Sequence, residues 1–306
     1  MGTFVVSLDT EFSWGCFDTG DVDRYKQAYR NTRSAITSLC DLFDQYEVPA
    51  TWALVMHLLE DCSGHEEMIS PEIDRVDDWF DASPCSSGIE KELWYAPDVL
   101  TELRSREVDH EIGLHGYSHM ILGEPGCTRE AAEAEIQKAV AVAEEAGISP
   151  QTFIFPRNKI GHIDILAEHG IQSYRGKDDR WYEYRIPGPL RRPLRFGDEF
   201  FCRTPPVVTP QKKSGLVEVP GSQIFRPVND KWQYTPARTQ VKRAKKGLDR
   251  AAKTGKIFHL WFHPFNVATE LERHLQLFEE VLKYAAQLRS EGKIQVQTMA
   301  DLAERA

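Results

Sequence analysis

The stretch Thr3-Phe-Val-Val-Ser-Leu-Asp9-Thr-Glu11 carries the information that decides the fold. Thr3–Leu8 is rich in β-branched and apolar residues and reads as a buried strand. Two acids follow it at once. On extended backbone, residues two apart share a side, so Asp9 and Glu11 face one mouth while Thr10 points away. Taken alone, acids in this position are ordinary loop or helix-capping groups. The same arrangement recurs along the chain. Helical spacing covers Asp23–Tyr46, and Val48–Met56 is the next strand. A helix over Pro97–Arg106 precedes a strand at Glu111–Leu114, and Thr128 caps a helix running to Ala146, stopped by Gly147. Further strands fall at Thr152–Phe155, Ile171–Tyr174, Val217–Val219, Lys256–Phe262 and Ile294–Val296. Helices fall at Ile160–His169, Pro236–Thr254 and Thr269–Arg289, with a last helical turn at the end. Alternating β and α elements favour parallel strands with covering helices. Glycine motifs of nucleotide-binding sheets are absent. The expectation is an α/β fold, a distorted (β/α) barrel of about seven parallel strands.

The 306 residues are 41% hydrophobic and 27% charged, which excludes global disorder. One domain over 1–306 is expected, with an insertion or extended loop around 60–95 and an irregular Pro/Arg-rich segment around 185–215. No apolar run nears the ~18 residues of a membrane span. Met1–Leu8 lacks the features of a signal peptide. Six scattered cysteines (Cys16, Cys40, Cys62, Cys85, Cys127, Cys202) form no CxxC pair, which argues against a thiolate zinc finger and a disulfide scaffold. A cytoplasmic protein is expected.

Charge is unevenly distributed. Residues 1–150 hold 30 acidic against 10 basic residues, whereas residues 151–306 hold 17 against 27. Much of the positive excess lies between Arg175 and Lys256. It is either a solvated face or a basic surface that draws an anionic substrate. No nucleic-acid signature accompanies it, so nucleic acid is not an expected partner.

His110-Glu-Ile-Gly-Leu-His115-Gly-Tyr-Ser-His119 is the next informative phrase. Histidines at i and i+4 lie on one face of a helical turn and can reach a common ion, although such pairs also arise by chance. Position 116 is Gly rather than the Glu of a zincin motif. Two further strands run into polar residues: Phe153-Ile-Phe-Pro156 into Arg157-Asn158, and Ile257–Phe262 into His263. Asp9 with Glu11, His115, Arg157 and His263 therefore all follow strand-like runs. In a parallel barrel those C-terminal strand ends gather on one face, where active sites sit. His259, inside its strand, reads as a satisfied wall histidine. His57, His65, His110, His162, His169 and His274 read as structural or solvent-exposed.

With these residues in place, the chain resembles the polysaccharide deacetylase family (carbohydrate esterase family four, the NodB-homology domain). The likeness spans Asp9 to His263. His110–His119 is a close match to the second motif of that family. The first motif reads Asp-Thr-Glu, as in a subgroup with Asp-x-Asp or Asp-x-Glu. In the third, Phe-Pro-Arg-Asn stands where Arg-x-Pro-Tyr is usual. The resemblance implies a NodB-type barrel and a hydrolase that removes an N-acetyl group from an acetamido sugar, or a sugar-containing precursor of a surface polysaccharide, releasing acetate. It further implies Asp9 as general base, Glu11, His115 and His119 as ligands of a divalent metal, His263 as general acid and Arg157 as the partner of Asp9. Zinc is the expected metal, with Co2+, Ni2+ or Mn2+ as alternatives. A nucleotide- or lipid-pyrophosphate-linked sugar fits the basic segment, with Arg191, Arg192 or Arg195 binding its phosphates. Four other readings stand beside this one: a same-fold amidohydrolase acting on a small non-sugar amide, a non-haem iron oxygenase with its two-His, one-carboxylate triad, a glycosidase using Asp9 and Glu11, and an inactive carbohydrate-binding relative.

Overall fold

The computed structural model describes residues 1–60, 68–73, 78–80 and 90–305. Its elements are, in order, β1 (Gly2–Thr10), α1 (Val22–Gln45), β2 (Thr51–Leu54), α2 (Pro97–Arg104), β3 (Glu111–Leu114), α3 (Arg129–Glu145), β4 (Thr152–Phe153), α4 (Ile163–Glu168) and β5 (Ser173–Gly176). There follow α5 (Trp181–Arg185), α6 (Gly188–Phe200), β6 (Gln211–Lys213), β7 (Leu216–Pro220), β8 (Gln223–Ile224) and α7 (Arg238–Thr254). The chain ends with β9 (Ile257–Phe262), α8 (Pro264–Ala268), α9 (Leu271–Ser290), β10 (Ile294–Val296) and α10 (Met299–Glu304).

The strands form one curled sheet in the order β6-β7-β5-β4-β3-β2-β1-β9-β8, with β10 beside the start of β1. Among the described residues eight consecutive strands, from β7 to β8, are parallel, and β6 runs antiparallel at the edge. The expected distorted α/β barrel is therefore present, open between β8 and β6. Alternation along β1 explains the layering. Phe4, Val6 and Leu8 join the large core shared with the helices. Val5 faces inward, in a smaller cluster with Ala53, Ile154, Val217, Val219, Ile257 and, from α10, Met299 and Leu302. Ser7 and Asp9 continue this inward row toward the C-terminal strand ends. Ser7 Oγ donates to His259 Nε2 at 2.8 Å, because His259 Nδ1 already donates to the Pro220 carbonyl at 3.2 Å. His259 is thus the satisfied wall histidine its place in the strand suggested.

Of the expected insertion around 60–95, residues 61–67, 74–77 and 81–89 lie outside the described residues, and Cys62, His65 and Cys85 with them. Its described part joins the main core through Ile73, Trp79, Leu93 and Trp94. The segment 185–215 differs from the irregular coil expected of it. It contains α6 and β6. Pro at the start of α6 costs no hydrogen bond there, and Pro193 is carried inside the helix. Glu199 pins the helix to the body: it is buried and pairs with Arg226 at 3.3 Å and with Arg243. Among the described residues no helix is long and apolar enough to cross a membrane.

Candidate active site

β1 delivers Asp9 and Glu11 to the mouth of the barrel, and both are buried. Arg175, at the end of β5, grips Asp9 from across the interior. Its Nη1 donates to Oδ1 at 2.5 Å and its Nη2 to Oδ2 at 2.6 Å. Asn158 Oδ1 accepts from the same guanidinium at 3.1 and 3.3 Å, and the Trp261 ring lies 4.3 Å beneath it. Burial pushes the Asp9 carboxyl up, but the charges of Arg175 and His263 and the Arg175 hydrogen bonds outweigh it, so Asp9 sits below the usual carboxylate range.

Glu11 lies 3.3 Å from His115 Nε2 and 3.0 Å from His119 Nε2 through its Oε2. Ligand atoms of these three buried residues all fall within 4.8 Å of one another. The expected helical turn does not bring the histidines together. Residues 115–119 form a loop in which Gly116 has φ +81° and His119 φ +62°. Glu135 of α3 sets that loop. Its carboxylate accepts from the backbone N–H of Tyr117 and Ser118 at 2.8 Å and of Met120 at 3.2 Å, and from Ser118 Oγ at 2.8 Å.

The donor set fits a cation. His115 Nδ1 lies 2.7 Å from the Ile154 carbonyl, which can only accept. A neutral His115 therefore carries its proton on Nδ1, and its Nε2 lone pair faces the Glu11 carboxylate. Both ring nitrogens of buried His119 lack a hydrogen-bond partner. Lone pairs turned toward a buried carboxylate repel unless positive charge lies between them. Burial pushes the Glu11 carboxyl up, yet it sits well below the usual range, with the charge of His263 as the largest influence drawing it down. Two imidazoles and one carboxylate suit zinc or a similar ion with open coordination positions.

His263 follows β9, with Nε2 at 3.7 Å from both Asp9 Oδ2 and Glu11 Oε1. Asn266 Nδ2 lies 3.4 Å from its Nδ1. The fold thus brings together Asp9, Glu11, His115, His119 and His263. Arg157 is not the partner of Asp9. It adopts φ +54° and turns its guanidinium to Asp18, 2.5 Å away. Arg175 takes that place, and it too follows a strand-like run, the feature that singled out the others. Arg191 and Arg195 pair with Glu183 and line a cavity of about 470 Å³ that also touches Arg157, Asn158 and Trp261. Arg192 is exposed and does not line it.

The chain is similar to known proteins in family and in fold. The polysaccharide deacetylase family profile matches residues 9–173, more than half of the chain. No curated protein matches the sequence. Among solved structures, a protein assigned as a polysaccharide deacetylase from Mycobacterium smegmatis superposes with TM-score 0.63 at 15% identity, covering 99% of this chain and 89% of its own. A Pseudomonas aeruginosa PAO1 protein of the same assignment gives TM-score 0.60 at 13% identity with the same coverage. Puue allantoinase gives 0.61 at 12%, again covering 99% and 89%. At these identities the likeness is one of fold.

Proposed function

This chain belongs to the polysaccharide deacetylase family, and on that footing we propose that it is a metal-dependent N-deacetylase. Its substrate is an acetamido sugar, or a sugar-containing precursor of a surface polysaccharide, carried in the cytoplasm on a nucleotide or lipid pyrophosphate. The observation that carries the reading is the buried Glu11–His115–His119 cluster beside the Asp9–Arg175 pair. Glu11, His115 and His119 hold the metal, zinc by its preference for such ligands. A bound divalent ion supplies carbonyl polarisation and a water that ionises near neutral pH.

The remaining work falls to the chain's own side chains. Arg175 keeps Asp9 ionised and oriented, so its carboxylate accepts the proton of the attacking water. The water oxygen bonds to the acetyl carbon, and the C–N bond breaks as His263 Nε2 donates a proton to the leaving nitrogen. Acetate and a free amine are the products. Burial of the carboxylates excludes bulk water and strengthens these charge interactions.

Acetate release by the zinc-loaded protein tests the reading, across N-acetylated nucleotide sugars, oligosaccharides and small non-sugar amides. Release from the acetamido sugars supports it. Turnover of the small amides alone contradicts the sugar assignment in favour of the amidohydrolase alternative.

A further inference from the structure

The cavity of about 470 Å³ next to the Asp9–Arg175 pair is lined by six cationic side chains, Arg157, Lys159, Lys177, Arg180, Arg191 and Arg195. Three acids share the wall, Asp178, Glu183 and Glu199. Arg157 pairs with Asp18, Lys159 with Glu124 and Arg180 with Asp178, so the positive excess comes from the other three cations. Arg191 and Arg195 share the single carboxylate of Glu183, while Glu199 is already claimed by Arg226 and Arg243 behind the wall. Lys177 forms no ion pair among the described residues and is exposed.

Arg180 is the most telling member. It is 5% exposed, and of its three nitrogens only Nη1 donates a hydrogen bond, to Tyr182 Oη at 2.9 Å. Its Nε and Nη2 make none, although Nη2 lies 3.1 Å from Asp178 Oδ2. A buried guanidinium with idle donors is costly unless an acceptor arrives to use them. The cavity is also coupled to the catalytic groups. Asn158 and Trp261 line it, and both touch the Arg175 guanidinium that holds Asp9.

We infer that this cavity is a phosphoryl-binding subsite, which takes the phosphate of the substrate's carrier while the acetamido group reaches Glu11 and Asp9. The assignment rests on the deacetylase reading for the identity of the substrate and on the cavity itself for the anion. Several guanidinium and ammonium donors around one space match a group with many acceptor oxygens and more than one negative charge. A neutral polysaccharide would leave Lys177 and the unbonded Nε of Arg180 without an anionic partner. Nucleotide and lipid carriers present the same phosphoryl chemistry here.

Two measurements test it. Calorimetric titration of the zinc-loaded protein with inorganic phosphate should show binding, weakened about tenfold or more by Lys177→Ala or Arg191→Ala, each of which removes a charge-assisted contact. No binding, or equal binding in wild type and both variants, overturns the subsite. Acetate release is then compared for a neutral methyl N-acetylhexosaminide, a nucleotide-linked N-acetylhexosamine and a polyprenyl-pyrophosphate-linked one. The subsite predicts that kcat/KM favours a phosphorylated form by about tenfold or more, that both variants shrink this ratio, and that salt raises its KM. Whichever phosphorylated arm is preferred identifies the carrier, and preference for the neutral sugar overturns the inference. If no arm releases acetate, the deacetylase reading fails, while the phosphate titration still decides the subsite.

Discussion

Replacing Arg175 by Met keeps most of the side-chain stem and deletes the two hydrogen bonds to Asp9, at 2.5 and 2.6 Å. Asp9 is 2% exposed, so its carboxylate would lose a buried charge partner without gaining water. Removing one member of a buried pair costs about 3–5 kcal/mol, or on the order of 10 °C in Tm for a chain of this size. The pH dependence has a definite sign. Arg175 lowers the Asp9 carboxyl in the folded state, so its stabilisation is present above the ordinary carboxylate range and is lost as pH falls through the depressed value. Arg175→Met should therefore be most damaging near neutral pH and progressively less so in acid. Burial then acts unopposed by the guanidinium and moves Asp9 upward, so the acidic limb of the kcat/KM profile should rise with it. Thermal melts and pH–rate profiles from pH 4.5 to 8 measure both effects. Arg157→Met is the control, since Arg157 binds Asp18 and should leave the limb in place. An unmoved limb in Arg175→Met, or a limb shifted only by Arg157→Met, would refute the assignment of Arg175 to Asp9.

His263→Ala should retain bound metal and lose kcat by about 10²–10⁴, the range for a general acid–base group; near-normal turnover would make His263 merely structural. Glu135→Ala should weaken metal binding by about 10–100-fold, as for other supports of a ligand loop. Glu135→Gln, which keeps an acceptor for the three backbone N–H groups, should restore most of it. Equal metal affinity in wild type and Glu135→Ala would remove Glu135 from that role. Burial pushes His259 down to about 3, so it stays neutral in the folded protein while the unfolded chain takes up a proton below its ordinary value. Stability should thus fall as pH drops below the ordinary histidine value, by about 2 kcal/mol at pH 5 from this residue. Chemical denaturation of His259→Gln between pH 7 and pH 5 should show a correspondingly shallower loss, and an unchanged slope would argue against the buried neutral histidine.

The strand-end residues were legible because buried parallel strands declare themselves as apolar runs, and their C-terminal ends share one face. Asp9, Glu11, His115 and His263 followed from that rule alone. The choice between Arg157 and Arg175 did not, since both sit just past such runs. It depends on the left-handed backbone of Arg157 and Asn158, at φ +54° and +52°, which no residue type there announces. The histidine loop was hidden for a different reason. Its shape comes from Glu135, which approaches from the middle of α3, and spacing at i and i+4 suggested a helical turn instead. Helix α6 was obscured by its prolines, because local propensity outweighs, in a sequence, the buried Glu199 contacts that hold the helix in place.

The most direct test of the central claim is a zinc titration of chelator-stripped protein, followed by metal analysis and by acetate release from an N-acetylated sugar. Activity should rise to a plateau at one equivalent of zinc per chain. Bound metal should be lost in His115→Ala, His119→Ala and Glu11→Gln, but kept in an inactive Asp9→Asn. Full acetate release by the stripped wild-type protein, or full zinc occupancy in the three ligand variants, would contradict it.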